Sequence, residues 1–389
     1  MPSSRLARLD PSEYALPAAV RARLLSPALV IYLDKVRENI RSMVAYTGGA
    51  DRWRPHVKTT KLPPVFAELA KAGVRHYKCA TVREAQQLLE TLAEAGVADG
   101  DVLLAYPLRP PALDVLGELA RRHRGARLSV LCEDPSVVPD IPDDVTVFVD
   151  VNPGMHRTGV PLAQRDAIHA VATAAGARFR GVHYYDGHLH GDPAERPAET
   201  AACYDALMQL RAELVDAGHA VGELTTSGTP TFRHALAYEA FSALDGSVHR
   251  VSPGTVVFHD QRSDEDNPDV DLVPAALLFT RVVSHPAPDL ATCDAGSKSI
   301  AAEAGDPCAF VLGHPHLRAR SPSEEHLPLS VEGGERPARG SELLLVPRHV
   351  CPTVNLAEEV VLVDDGRVGS ARVTARAHPL WADEALDPG

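Results

Sequence analysis

Between residues 50 and 255 the chain repeats one pattern: a short apolar run, an amphipathic segment, then another apolar run. The apolar runs fall at 53–57, 76–79, 102–105, 128–131, 145–151, 179–185, 223–226 and 248–251. The amphipathic segments include 81–95, 111–123, 164–175 and 199–217. A strand that is apolar along its length is buried on both faces, and strands joined by helices run parallel. Eight such units predict a (β/α)8 TIM-like barrel. An open doubly wound sheet is the competing arrangement, but no Gly-rich dinucleotide fingerprint follows an early strand.

The helical rhythm stops near residue 256. An acidic, turn-rich stretch at 263–271 leads into apolar runs at 277–283, 309–312, 343–346, 360–363 and 371–373, bounded by Gly, Pro and Asp. Runs punctuated in this way predict an all-β second domain. The expected division is a barrel over 20–258 and a β domain over 259–389, to which residues 1–19 can add. A strand at 28–33 and a helix at 34–47 precede the first barrel strand. The Pro/Glu/Gly-rich stretch 328–340 reads as an exposed hairpin or loop.

A chain of 389 residues is long enough to bury a large core. Its net charge of -13 argues against nucleic acid, whose phosphates need a basic face, and against anionic membranes. No apolar run is long enough to span a bilayer, and no apolar segment backs Met1-Pro2-Ser3-Ser4-Arg5 as in a signal peptide. Six cysteines without CxxC spacing read as reduced thiols, Cys79 among them as core. Together these features lead us to expect a cytoplasmic protein.

The run Pro55-His56-Val57-Lys58-Thr59-Thr60-Lys61 closes the first predicted strand with a lysine. Burying an unpaired ammonium is costly and lowers its pKa, so a lysine held there usually has a chemical task. The candidate task for Lys58 is a Schiff base with pyridoxal phosphate. The plain alternative is a strand-end lysine that snorkels to water. In a barrel, the carboxyl ends of the strands face the active site. His156-Arg157-Thr158-Gly159, Tyr185-Asp186-Gly187-His188, Ser227-Gly228-Thr229-Pro230 and Ser252-Pro253-Gly254-Thr255 all follow predicted strands.

Ser227, Gly228, Thr229, Gly254 and Thr255 offer hydroxyls and backbone N–H groups to a phosphate, in the two loops where barrels often bind one. The same tripeptides also make ordinary tight turns. Arg157 suits an oxygen anion, against the common fate of a surface ion pair. Tyr185 can lie near a pyridine ring or simply fill the core. Farther on, His349 and Cys351 stand two apart in Pro347-Arg348-His349-Val350-Cys351-Pro352. On a strand they would share one face, as an N/S ligand pair for zinc. The alternative is a structural histidine beside a buried thiol. His314 and His316, in Gly-His-Pro-His, are a weaker metal candidate.

Taken in this order and at these separations, the segments resemble the D-threonine aldolase and D-serine dehydratase group of the alanine-racemase-like pyridoxal phosphate enzymes. The resemblance covers about 27–363 and rests on Arg54 to Thr59, Tyr185 to His188, Ser227 to Pro230, Pro253 to Thr255 and His349 to Thr353. It implies an N-terminal barrel, a C-terminal β domain and a homodimer. It implies Lys58 as the Schiff-base lysine, with His56, Arg157 and Tyr185 around the cofactor. By the same carry-over, Ser227, Gly228, Thr229, Gly254 and Thr255 hold its phosphate. His349 and Cys351 would hold a divalent metal, with zinc ahead of manganese or magnesium. The chain departs from the family pattern at Thr60, where His is usual, at Arg348, where a small polar residue is commoner, and at Val256, where an aromatic often stands.

The same parts serve two reactions on a D-amino acid carrying a β-hydroxyl. Deprotonating that hydroxyl breaks Cα–Cβ and yields glycine and an aldehyde; removing the Cα proton expels the hydroxyl and yields a 2-oxo acid and ammonia. The run Pro352-Thr353-Val354-Asn355-Leu356 favours the aldolase, whereas the cysteine ligand is more typical of the dehydratase. A 3-hydroxyaspartate substrate would need a further cation, for which Arg348 or His314 stand as candidates. A non-catalytic pyridoxal phosphate carrier would not need the His349–Cys351 pair. A racemase of this fold uses a tyrosine from its β domain, and the last tyrosine here is Tyr238.

Overall fold

The computed structural model describes residues 5–192, 194–380 and 382, so the expected segments 1–19 and 259–389 lie partly outside the described residues. The chain divides into two compact units. One comprises Val44–Lys58, Leu69–Gly254 and Ala377–Gly389; the other comprises Met1–Met43, Thr59–Glu68 and Thr255–Arg376. Strand β1 (Ala28–Tyr32) belongs to the second unit.

The first unit is a barrel. Its strands are β2 (His76–Cys79), β3 (Asp101–Pro107), β4 (Arg127–Cys132), β5 (Val145–Asn152), a two-residue β6 (Val160–Pro161) beside β5, β7 (Phe179–Tyr184), β8 (Glu223–Thr226) and β9 (Val248–Val251). β2, β3, β4, β5, β7, β8 and β9 lie side by side in that order, all parallel. The expected strand at 53–57 closes the ring as two bridges rather than a ladder. Trp53 pairs with Val251 and His56 with Lys78. Arg54 N–H donates to the Val251 carbonyl (2.9 Å), and Val57 N–H to the Lys78 carbonyl (2.7 Å). The two bridges go to opposite neighbours, β9 and β2, and Pro55, which has no N–H, offers β2 only its carbonyl, accepting the Lys78 N–H at 3.0 Å.

The helices Val82–Glu94, Ala112–Arg122, Arg165–Ala175 and Arg196–Asp216 fall on the segments expected to be helical. In the first of these, Ala85, Leu88, Leu89 and Leu92 form the buried stripe. Thr81 starts it by accepting the Glu84 N–H at 3.0 Å, a cap that contributes about 1 kcal/mol. The amino-terminal end of the barrel is filled by charge instead of hydrocarbon. Arg54, fully buried, grips Glu223 through Nε and Nη2 (2.8 Å each) and Asp101 through Nη1 (3.0 Å).

In the second unit β1 is joined by β10 (Ala276–Ala287), β11 (Leu290–Cys293), β12 (Ala309–Val311), β13 (Leu317–Ala319), β14 (Leu327–Val331), β15 (Glu342–Pro347), β16 (Glu359–Asp364) and β17 (Arg367–Arg372). β10 is long enough to pair with both β15 and β11. Thus β10, β11, β14, β13, β12 and β15 close an antiparallel ring. β1 pairs antiparallel with β10 and parallel with β16. Leu6, Tyr14, Val30, Tyr32, Phe279 and Phe310 share its core.

These pairings account for one difference from the sequence reading, which gives residues 20–43 to the barrel. Here they stand in the other unit, because β1 hydrogen-bonds to β10 and β16. The buried Asn39 behind it bonds to the backbone of Val257 and Val273. The acidic stretch 263–271 overlaps a short helix, Gln261–Asp266, capped by the Asp260 carboxylate. The expected loop 328–340 begins inside strand β14. Among the described residues no helix is long and apolar enough to cross a membrane.

Candidate active site

At the carboxyl end of the barrel, Lys58 lies in a turn rather than on a strand, and it is half-buried. Its N–H donates to His56 Nδ1 at 3.4 Å, which folds the His56 ring back over the turn. Tyr185, just past β7, faces two cations: the Arg157 guanidinium carbon stands 4.8 Å from its ring centroid and Lys78 Nζ 5.2 Å. Cations over an aromatic face are attracted by its quadrupole. Arg157 is otherwise exposed.

The loop after β8 packs tightly. Ser227 is buried with φ +57°, a left-handed conformation that is costly for a residue with a side chain. Ser252 Oγ lies 2.8 Å from the Ser227 carbonyl and 3.1 Å from that of Thr226, and Lys78 Nζ donates to the same Oγ at 3.0 Å. Asp186 is buried and accepts from Tyr204 Oη (2.6 Å) and Thr231 Oγ1 (2.7 Å), which fixes Tyr185 relative to the loop. A methyl group at Gly228 would come within 3.1 Å of the Tyr185 ring, and one at Gly254 would collide with the His56 carbonyl. Thr229 is half-buried at the loop's edge. Small residues, backbone donors and cations at one end of a barrel fit a phosphorylated, anionic cofactor.

The glycine requirement is testable. Gly254→Ala forces the backbone at His56 to shift and should cost about 1–3 kcal/mol. Urea unfolding reads this, and an unchanged midpoint would show that the turn yields freely.

Three residues here escape the sequence reading: Lys78, Asp150 and His183. Their signal in the sequence is an ionisable residue at a buried strand position: Lys78 in β2, Asp150 in β5 and His183 in β7. His183 Nδ1 lies 2.7 Å from Asp150 Oδ1, both buried. Burial and then the charge of Lys78 push the His183 pKa down to about 4, against the pull of Asp150. The ring is therefore neutral at neutral pH, with its proton on Nδ1 toward the carboxylate. Its Nε2 is buried and has no hydrogen-bond partner among the described residues.

The second unit carries the other candidate pair. The expected strand through His349 and Cys351 is instead a short helix, Val350–Leu356, with His349 as its extended N-cap residue. The cause is tertiary: the Asp260 carboxylate accepts the Val350 N–H at 2.9 Å and so caps the helix. Pro352 falls in the first turn, where its missing N–H is harmless. The two side chains still lie close enough for Cys351 to act on the His349 ring. Burial lowers the His349 pKa, but Cys351 and then Asp260 outweigh it, and the net shift is upward. Thr59 Oγ1 lies 3.1 Å and Thr255 Oγ1 3.5 Å from Cys351 Sγ. Thr255 thus stands beside the thiol, in the unit that does not hold the Ser227 loop. An imidazole and a thiol this close are a donor set that suits zinc.

Other candidates are committed elsewhere. Arg348 pairs with Glu265 at 3.1 Å. His316 Nε2 is 3.0 Å from the Glu335 carbonyl oxygen, and its ring centroid lies 5.8 Å from that of His314. Among the described residues, His76, Asp101 and Glu223 bring three ligand atoms within 4.8 Å of one another. Arg54, Arg180 and Arg250 already neutralise those carboxylates, so a cation there would meet three guanidinium groups. We read that cluster as the ion-pair plug of the barrel.

The family model described as "Alanine racemase, N-terminal domain" matches residues 31–261, and a serine dehydratase domain model matches residues 275–363. A D-threonine aldolase of Arthrobacter sp. is 31% identical over 371 residues, covering 91% of this chain and 93% of that protein. A 3-hydroxy-D-aspartate aldolase of Paracoccus denitrificans (strain Pd 1222) is 29% identical over 380 residues, covering 91% and 92%. The crystal structure of D-threonine aldolase from Filomicrobium marinum superposes with a TM-score of 0.78 at 28% identity, covering 91% of this chain and 96% of that one.

Proposed function

Because this chain belongs to the alanine racemase N-terminal domain family, we propose that it is a pyridoxal-phosphate-dependent lyase. It cleaves D-β-hydroxy-α-amino acids into glycine and an aldehyde, a reading supported by the relative named D-threonine aldolase. The observation that carries the reading is the nearness of His349 and Cys351 in a chain that carries Lys58, Arg157 and Tyr185 at the carboxyl end of its barrel. A racemase or a plain cofactor carrier has no use for that N/S pair.

When bound, the cofactor supplies an electron sink for the pair released at Cα. Lys58 supplies the amine that joins its aldehyde. Arg157 neutralises an oxygen anion of cofactor or substrate. The Ser227–Gly228–Thr229 loop and Gly254 hold the phosphate through N–H and hydroxyl donors. His349 and Cys351 would hold a divalent metal, for which an N/S donor pair favours zinc and which would supply Lewis acidity at the substrate hydroxyl. The reading includes a homodimer in the cytoplasm; light scattering on the purified protein reads the oligomeric state.

The test is a product assay with pyridoxal phosphate and zinc or manganese, on D-threonine and D-serine in parallel. Glycine with acetaldehyde from D-threonine is expected. Pyruvate from D-serine, or 2-oxobutyrate from D-threonine without glycine, would make the enzyme a dehydratase, the outcome that a cysteine ligand favours. In His349→Ala and Cys351→Ala, bound metal should fall to background and turnover by about a hundredfold. Full activity in both variants after chelation would remove the metal from the reading.

A further inference from the structure

We propose that Lys78 serves Lys58 as the acceptor of its proton, a positioning role for a second amine in the barrel. The proposal rests on the reading of Lys58 as the residue that joins pyridoxal phosphate. The two lysines are held together by the backbone. Val57 N–H donates to the Lys78 carbonyl (2.7 Å) and Lys78 N–H to the Pro55 carbonyl (3.0 Å), so Lys58 leaves the barrel wall one residue beyond this pairing.

Lys78 is 3% exposed, yet no carboxylate stands within ion-pair distance of it among the described residues. The hydrogen bond of its Nζ goes to Ser252 Oγ at 3.0 Å, and the Tyr185 ring covers it at 5.2 Å. A buried ammonium with a neutral partner readily gives up its charge. The groups that act on it are Lys58 from the turn, Arg157 from the loop between β5 and β6, Asp150 on β5 and Asp186 beyond β7. Lys78 in turn acts on His183 of β7, which is neutral at neutral pH. Burial first, then Lys58 and Arg157, bring the Lys78 pKa down to about 7 against the two carboxylates. An amine poised there exchanges protons at physiological pH.

As an ammonium, Lys58 has no electron pair to give to an aldehyde carbon. Moving one proton from Lys58 to neutral Lys78 frees that pair and leaves the total charge unchanged. Lys58 then forms the C–N bond, and its two remaining protons leave with the aldehyde oxygen as water. A second amine beside a reactive lysine is a known means of activating it.

The experiment follows attachment of pyridoxal phosphate to the full chain stripped of cofactor, from pH 5.5 to 9. Absorbance gives the rate, and borohydride fixation with mass mapping gives the residue. In the wild type the rate should fall as pH drops through about 7. Lys78→Met and Lys78→Gln should slow attachment at pH 7 at least about tenfold and move the inflection to higher pH. Lys78→Arg should also be slow, because a guanidinium keeps its proton. Gln retains a donor to Ser252 and carries the test if Met does not fold. A wild-type rate with no inflection near pH 7, or variants with the wild-type profile, would overturn the proposal alone. No attachment at Lys58 in the wild type would overturn the functional reading, and this proposal with it.

Discussion

Lys58→Ala should lose borohydride-fixed pyridoxal phosphate at that position and lower lyase turnover by about 10⁴-fold or more, the scale set by deleting a covalent catalyst. The reason is chemical rather than structural. Lys58 is half-buried in a turn, and alanine suits that turn, so the unfolding midpoint should stay where it is. Loss of attachment with unchanged stability identifies Lys58 as the joining residue. Lys61 and Lys78 are the nearby amines that make the result informative. If the variant still fixes cofactor and mass mapping finds it on Lys78, the assignment passes to Lys78 and the proton-acceptor role falls. If attachment persists at neither residue while turnover survives, the pyridoxal phosphate reading itself fails.

Arg54→Met should destabilise the barrel by about 3–5 kcal/mol, the cost of removing one partner from a buried ionic cluster. Arg54 is fully buried, and its guanidinium also donates to the carbonyls of Tyr77 and Asp101 at 3.0 and 3.1 Å. Methionine fills similar volume but leaves the Asp101 and Glu223 carboxylates short of a cation. Burial alone would raise both pKa values. Arg54, with Arg250 on Glu223 and Arg180 on Asp101, outweighs burial and holds Glu223 at about 2 and Asp101 well below its usual range. Depressed carboxylates contribute stability that is present above the unfolded value near 4 and lost as pH falls through the folded value. Urea unfolding of the wild type should therefore weaken from about pH 4 toward pH 2, and the variant should show less of that acid dependence. A loss below about 1 kcal/mol would show that Arg180 and Arg250 suffice alone.

The legible part of the chain is local. Strands β3, β4 and β5 could be read because they are largely apolar runs buried on both faces, and helix Val82–Glu94 because its apolar stripe repeats at helical spacing behind a Thr81 cap. The placement of Arg157, Tyr185 and the two Gly-containing loops just beyond strand ends could be read because the strands before them end at local turn signals. Three things could not be read. The run after His349 is rich in β-branched residues and looks like a strand. It is a helix because Asp260, far away in sequence, caps it. Lys78, Asp150 and His183 come from three separate strands: Asp150 and His183 meet as register partners on the neighbouring strands β5 and β7, and the closing of the ring brings Lys78 of β2 within reach of them. Residues 20–43 precede the barrel in sequence, yet β1 bonds to strands more than two hundred residues later. Strand and helix periodicity record which face a residue presents to its own neighbours in the chain. Which distant side chain meets that face depends on ring closure and strand pairing, and those arise from the packing of the whole chain.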